Sequence, residues 1–218
     1  INNTNRTGQF DYIAGDQDPD DNGVHGTNVA GIIYGEGANG IGISGVVPKA
    51  RGAGIRWDIG ITDDENITRV IGHKAYKFDV HNASWGMPDG SLVASSPGPL
   101  TLDELKFKSV GSRPLPYVFQ AGNGNLNNNA DPDGNVILDL STYDGFANDM
   151  HTIAVASASA FLDNQEDTTG EAGSNIICAA FPPNATTAID NEYEDIDDFS
   201  SFAAPVVSGI VALMAEAR

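Results

Sequence analysis

Short apolar runs of β-forming residues alternate along this chain with segments of helical period, and no other feature restricts its architecture as much. The apolar runs cover residues 53–57, 80–84, 116–120, 152–156 and 175–180. Between the first two, Thr62 and Glu65 have the spacing of a capping box before a helix over 66–78. Thr101 and Glu104 repeat that spacing before a helix over 102–110. Two more helix-period runs open at His25, with Val29, Ile32 and Ile33, and at Ser201, with Val206, Val207, Ile210, Val211, Leu213 and Met214. The β-α-β-α-β order predicts an α/β fold with a mostly parallel central sheet flanked by helices. In such sheets, sites gather at the carboxyl ends of strands and the adjoining helix N-termini. His25, Asn123 and Ser201 fall at such junctions.

With 218 residues, 40% of them apolar, the chain can bury one good core, so a single domain is expected. No apolar run approaches the roughly 20 residues that a bilayer-spanning helix needs. The formal charge of -19, from 30 acidic and 11 basic residues, argues against nucleic acid and anionic membranes as partners. Cationic peptides or calcium suit that charge, and so does simple solubility. Glu192, Glu194, Asp195, Asp197 and Asp198 read as one solvated loop. Cys178 is alone, which excludes an intrachain disulfide, and its apolar surroundings at 176–180 make it a packing residue. The Asn-rich stretch 123–129 and Asp131-Pro132-Asp133-Gly134 form a loop by composition.

Histidine and serine at two helix N-termini suggest acyl transfer. A serine hydroxyl is a poor nucleophile at neutral pH and needs a general base together with donors for the oxyanion. A helix N-terminus supplies free N–H groups and a partial positive charge. Each residue also has an ordinary reading: a histidine in a first turn can cap or pack, and Asn123 alone could be a turn residue.

His25-Gly26-Thr27-Asn28-Val29-Ala30-Gly31, Asn39-Gly40-Ile41-Gly42, Ala121-Gly122-Asn123, and Ser201 with Ala204-Pro205 together resemble the subtilisin-like serine proteases, or subtilases. Ala83-Ser84-Trp85-Gly86, Pro97-Gly98-Pro99-Leu100-Thr101, Gly122-Asn123-Gly124 and 143–148 resemble the kexin branch, the proprotein convertases that cleave after basic residues. The likeness runs from about Phe10 to the last residue. It implies a three-layer subtilisin-like α/β fold and a serine endopeptidase acting on peptides or proproteins, with Lys or Arg before the scissile bond.

The resemblance also implies a role for particular positions. His25 would be the general base, Ser201 the nucleophile and Asn123 an oxyanion donor beside the Ser201 N–H. Ser84, Trp85 and Gly86 would wall the substrate cleft, and Asp144 would be the pocket carboxylate that selects a basic side chain. Calcium is the expected ion. Glu36, Asn39, Ile41 and Ile43 match a loop that holds one ion, and Asp139 and Glu171 match acids of a second. The loop that should supply a third acid to the second ion, 87–90, is a residue shorter than the family pattern, which leaves open whether Asp89 reaches the ion. Each acid has the alternative reading of a plain surface or turn residue.

Departures from the family pattern are equally specific. Asp11, Asp16, Asp18, Asp20 and Asp21 precede His25 in a Gly/Asp/Pro-rich loop resembling the segment after the family's catalytic aspartate. The strand bearing that aspartate is therefore expected upstream of residue 1, so residues 1–218 read as a partial catalytic domain without it or a C-terminal P-type domain. Phe199-Ser200-Ser201 stands where the family has Gly-Thr-Ser, and Phe199 could distort the turn. Gly42, Ser141 and Gly173 occupy positions that carry disulfides in animal convertases. The acid that would read a more distant basic residue falls near Ala94 or Ser95. These departures motivate a second expectation, an inactive relative that serves as a binding module. Secretory-pathway or extracellular residence follows from the resemblance, with sequons at Asn2, Asn5, Asn66, Asn82 and Asn184 in weak support. A monomer is expected.

Overall fold

The structure, a computed structural model, describes residues 8–20, 23–60, 63–86, 97–110, 113–123, 140–158, 171, 173–197 and 199–217. Strands β1 (Phe10–Asp11) and β2 (Ile55–Arg56) form a two-stranded parallel ribbon. Strands β3 (His81–Ala83), β4 (Tyr117–Gln120), β5 (Thr152–Ser157) and β6 (Ile176–Ala180) form a parallel sheet in that order. Each of the five apolar runs contains a strand. The run at 53–57 leaves the central sheet, because β2 pairs with β1 and Arg56 donates to the Asp11 carboxylate at 2.9 Å.

All four residues of β4 are buried, and alternate side chains face opposite layers. Tyr117 and Phe119 join Ile67, Ile71 and Leu105 on one side, from helices α2 (Asp64–Ile71) and α3 (Pro99–Ser109). Val118 joins Val155, Ala203, Ala204 and Val207 on the other, where helix α4 (Ser200–Glu216) lies. The result is helix, sheet and helix in three layers, as expected. Cys178 packs half-buried against this second cluster, and burial pushes its thiol pKa up.

The helix starts differ from the capping boxes expected for them. Asp63 caps α2 by accepting from the Asn66 N–H at 3.0 Å. That helix ends at Ile71 with Gly72 as C-cap, and Lys74 is left-handed at φ 44°, so the expected helix to residue 78 gives way to a short 3-10 turn over Ala75–Lys77. α3 starts at Pro99, whose missing N–H costs nothing in a first turn. Its cap, Gly98, has no side chain, and the carboxylate of Asp64 accepts instead from the Leu100 and Thr101 N–H groups at 2.8 and 2.9 Å. Thr101 lies inside the helix, buried, with its hydroxyl 3.0 Å from that of Thr68.

Helix α1 (Val24–Tyr34) packs along α4 and against β7 (Ala185–Thr187), which pairs antiparallel with β8 (Tyr193–Asp195). Gly31 makes this approach feasible, since a Cβ there would run into the Thr187 hydroxyl. The acidic segment at 192–198 is therefore partly a strand. Glu194 on β8 accepts at 2.6 Å from Asn28, which is itself buried on α1.

Candidate active site

The C-terminal end of β4 and the first turn of α4 meet in one knot of hydrogen bonds. Phe199 is the N-cap of α4 at φ -76°, ψ 147°, an extended conformation open to any residue. The backbone at Phe199 is therefore unstrained and does not itself require a glycine. Ser200 follows, fully buried; its N–H donates to Asn123 Oδ1 at 2.8 Å, and its hydroxyl lies 2.8 Å from Gly122 O and from Asn123 Oδ1. With Oδ1 turned inward to Ser200, the Asn123 amide carries its nitrogen on the other prong. Ser201, the second residue of α4, has an N–H with no acceptor among the described residues. An N–H and an amide beside a serine form the donor arrangement that an oxyanion requires.

The Ser201 hydroxyl donates to Gln120 Oε1 at 2.7 Å, and its carbonyl accepts from Ser84 Oγ at 2.7 Å. Ser84 in turn accepts from Asn82, whose Oδ1 accepts from Ser208 on α4. Both polar ends of the Asn82 amide are thus engaged inside the fold, which argues against this sequon as a glycosylation site. His25, in the first turn of α1, faces the same helix end. Its ring lies 5.5 Å from that of Phe202, and loss of water there lowers its pKa below the ordinary value. No hydrogen bond joins His25 to Ser201, and no carboxylate among the described residues bonds to His25. Asp11, expected in a loop, is instead a buried strand residue held by Arg56 and by the N–H groups of Ile13 and Ala14.

Trp85 and Gly86 continue from Ser84 at the end of β3. The Trp85 ring stands edge-on to Trp57, Phe119 and Phe146 at 5.0 to 5.3 Å, which fixes the wall. Asp144 Oδ1 accepts from the N–H groups of Phe146 and Ala147 at 2.7 and 3.2 Å. Its Oδ2 reaches towards Gly86, where an added Cβ would stand only 2.6 Å away. Ser84, Trp85, Gly86 and Asp144 therefore come together around one space at the end of β4.

Of the positions matched to calcium, Glu36, Asn39, Ile41 and Ile43 lie in one loop that doubles back through left-handed residues at Ala38, Gly40 and Gly42. Asn39 Oδ1 accepts from the Ile41 N–H at 3.0 Å, which turns the amide oxygen inward. Tyr193 packs over Gly42. Glu171 is buried, its carboxylate against Gly122. Asp139 and the segment 87–90 lie outside the described residues. The bridge positions Ser141 and Gly173 are neighbours, and the Ser141 hydroxyl donates to Asn175 at 2.7 Å.

Gln120 and Phe202 are site residues that motif reading passes over. Gln120 does leave a signal: it is the single polar residue ending the buried run Tyr117–Gln120, and a buried amide needs partners. Phe202 leaves none, because an aromatic opening a helix reads as core.

Residues 1–218 match the Subtilase family of peptidases (S8) over their whole length. Mouse (Mus musculus) proprotein convertase subtilisin/kexin type 4 is 26% identical over 210 residues, covering 92% of this chain and 30% of that protein. Human (Homo sapiens) furin is 26% identical over 240 residues, covering 100% and 29%. The chain thus spans about a third or less of the curated relatives it matches. Among solved structures, the serine protease of Aeromonas sobria superposes with a TM-score of 0.77 at 21% identity, covering 99% of this chain and 44% of that one. A cold-adapted subtilisin-like serine proteinase gives 0.71 at 20%, covering 99% and 69%. Three layers, a parallel sheet, and a serine and a histidine at facing helix N-termini agree with these matches: the chain belongs to the subtilase family and has the subtilisin-like fold.

Proposed function

We propose that this chain supplies the nucleophile, general base, oxyanion donors and specificity pocket of a serine endopeptidase that cleaves peptides after basic residues. The observation that supports it best is the α4 N-terminus, where Ser201 stands beside its own N–H and beside an Asn123 whose orientation Ser200 fixes. Ser201 Oγ would attack the scissile carbonyl as its proton passes to His25, and the developing oxyanion would accept from Ser201 N–H and Asn123. His25 then returns the proton to the leaving amine. Asp144, whose Oδ2 lies beside Gly86, would pair with Lys or Arg, and the substrate backbone would run along Ser84-Trp85-Gly86. The likeness to the convertases supports a secretory-pathway or extracellular setting and a peptide or proprotein partner, and the enzyme would act as a monomer.

Calcium belongs to this reading. The loop at Glu36, Asn39, Ile41 and Ile43 offers only oxygen donors and has the tight left-handed bends that bring carbonyls together, which suits this ion. When bound, calcium would brace the loop that packs under Tyr193. Glu171 could serve a second ion with Asp139. Chelation by EDTA is expected to lower the melting temperature, and calcium, not magnesium, to restore it.

Because His25 has neither Ser201 nor a carboxylate as hydrogen-bond partner among the described residues, the 218-residue polypeptide alone is expected to turn over about 10⁴-fold below ordinary protease rates. The same observation supports the second reading, a subtilase retained as a binding module. A fluorophosphonate probe on the full-length protein decides between them. Labelling that Ser201→Ala abolishes is expected; a folded full-length protein that stays unlabelled would establish the binder. In an active protein, Asn123→Ala should cost about 10² to 10³ in turnover.

A further inference from the structure

Resting on the endopeptidase reading, we infer that Gln120 is a positioning residue that holds the Ser201 proton in the resting site and links it to the specificity pocket. The hydroxyl of Ser201 has one proton, and Gln120 Oε1 takes it at 2.7 Å. A proton given to Gln120 is not given to His25, so the amide and the imidazole compete for one hydroxyl. Ser200 Oγ also lies 3.1 Å from the same oxygen, which pins the amide in place.

The amide nitrogen completes the link. A Cβ built on Gly86 would lie 3.5 Å from Gln120 Nε2 and 2.6 Å from Asp144 Oδ2, so nitrogen and carboxylate border the same small space. Gln120 therefore has its oxygen at Ser201 and its nitrogen beside Gly86, the residue that Asp144 Oδ2 also approaches. A basic side chain entering to pair with Asp144 meets an N–H dipole of unfavourable sign. Turning that amide away also withdraws Oε1 from Ser201, and the hydroxyl is then available to His25. Filling of the pocket would thereby prime the nucleophile.

The test uses the full-length protein and two variants, Gln120→Ala and Gln120→Met, the second of which keeps the volume while removing the acceptor. Both should be labelled about fivefold to tenfold faster than wild type by a small fluorophosphonate without a pocket group, the effect of losing one competing hydrogen bond. For a phosphonate bearing a basic side chain, the gain should fall below twofold. A merely structural role predicts slower labelling together with a lower melting temperature. Unchanged or slower labelling of both variants overturns the proposal, and equal gains on the two probes overturn its link to the pocket. A double-mutant cycle on Gln120 and Ser201 in thermal unfolding reads the contact without any chemistry: coupling is expected, and additivity overturns it. If no variant labels at all, the endopeptidase reading fails, and the cycle alone decides whether Gln120 holds Ser201.

Discussion

Phe202 packs against the proposed base. Its ring lies 5.5 Å from the His25 imidazole, which keeps an exposed edge, and the partial loss of water on the packed side lowers the His25 pKa from its ordinary value. A general base acts in its neutral form, so activity should rise with pH through that lowered value. Phe202→Ala returns water to the imidazole, and the acid limb of the kcat/KM profile should move to higher pH; a limb that stays put shows that Phe202 does not set the pKa. Gly86→Ala has a separate signature. Its Cβ would push against Asp144 Oδ2, so under the proposed basic specificity the preference for Lys or Arg over uncharged side chains should drop about tenfold or more in competition assays. His25, Asn123, Asp144 and Ser201 could be singled out in the sequence because each sits in a contiguous motif, whatever role it proves to play. Gln120 and Phe202 could not. Gln120 meets Ser201 across 81 positions, and Phe202 meets His25 only because α1 and α4 end side by side.

Among the elements, α3 depends most on another part of the chain. Asp64, in the first turn of α2, closes two N–H groups at the start of α3, and they have no intrahelical acceptor. Asp64→Ala would leave both without a protein partner and loosen the join between the two helices. The cost should be about 1 to 2 kcal/mol, read as a lower urea midpoint at unchanged m-value. Asp64→Asn should recover part of it, since the amide retains one acceptor. The same contact explains where sequence reading stopped. Strand positions came through within a residue or two, because β-forming apolar runs mark strands whether buried on both faces, as in β4, or exposed on one, as in β6. Helix starts did not: Thr62 and Thr101 have capping spacing, but the caps in use are Asp63 and the carboxylate of a neighbouring helix. A cap supplied by a distant element leaves no local pattern.

Across the whole molecule, His81 makes the fold sensitive to acid. It lies on β3 against the ring of Tyr117, and burial, with a smaller contribution from His73, pushes its pKa from 6.5 down to about 4. Between those values the unfolded chain takes up a proton that the folded chain refuses. Stability is therefore intact above pH 6.5 and falls as pH drops towards 4, by up to about 3 kcal/mol from this group. Urea midpoints at pH 7, 5 and 4 should fall in that order, and His81→Asn should flatten the trend; a variant as acid-sensitive as wild type would place the cause elsewhere. The alternation within β4 carries a different consequence, for how such a chain tolerates change. Tyr117 and Phe119 serve one layer, while Val118 and Gln120 serve the other. Inserting or deleting one residue before Tyr117 would exchange the two sets, carrying the amide into the α2 and α3 layer and an aromatic ring to the nucleophile. Fold and site are thus written in one reading frame of four residues: substitutions in β4 can be judged one by one, but a shift of frame removes both together.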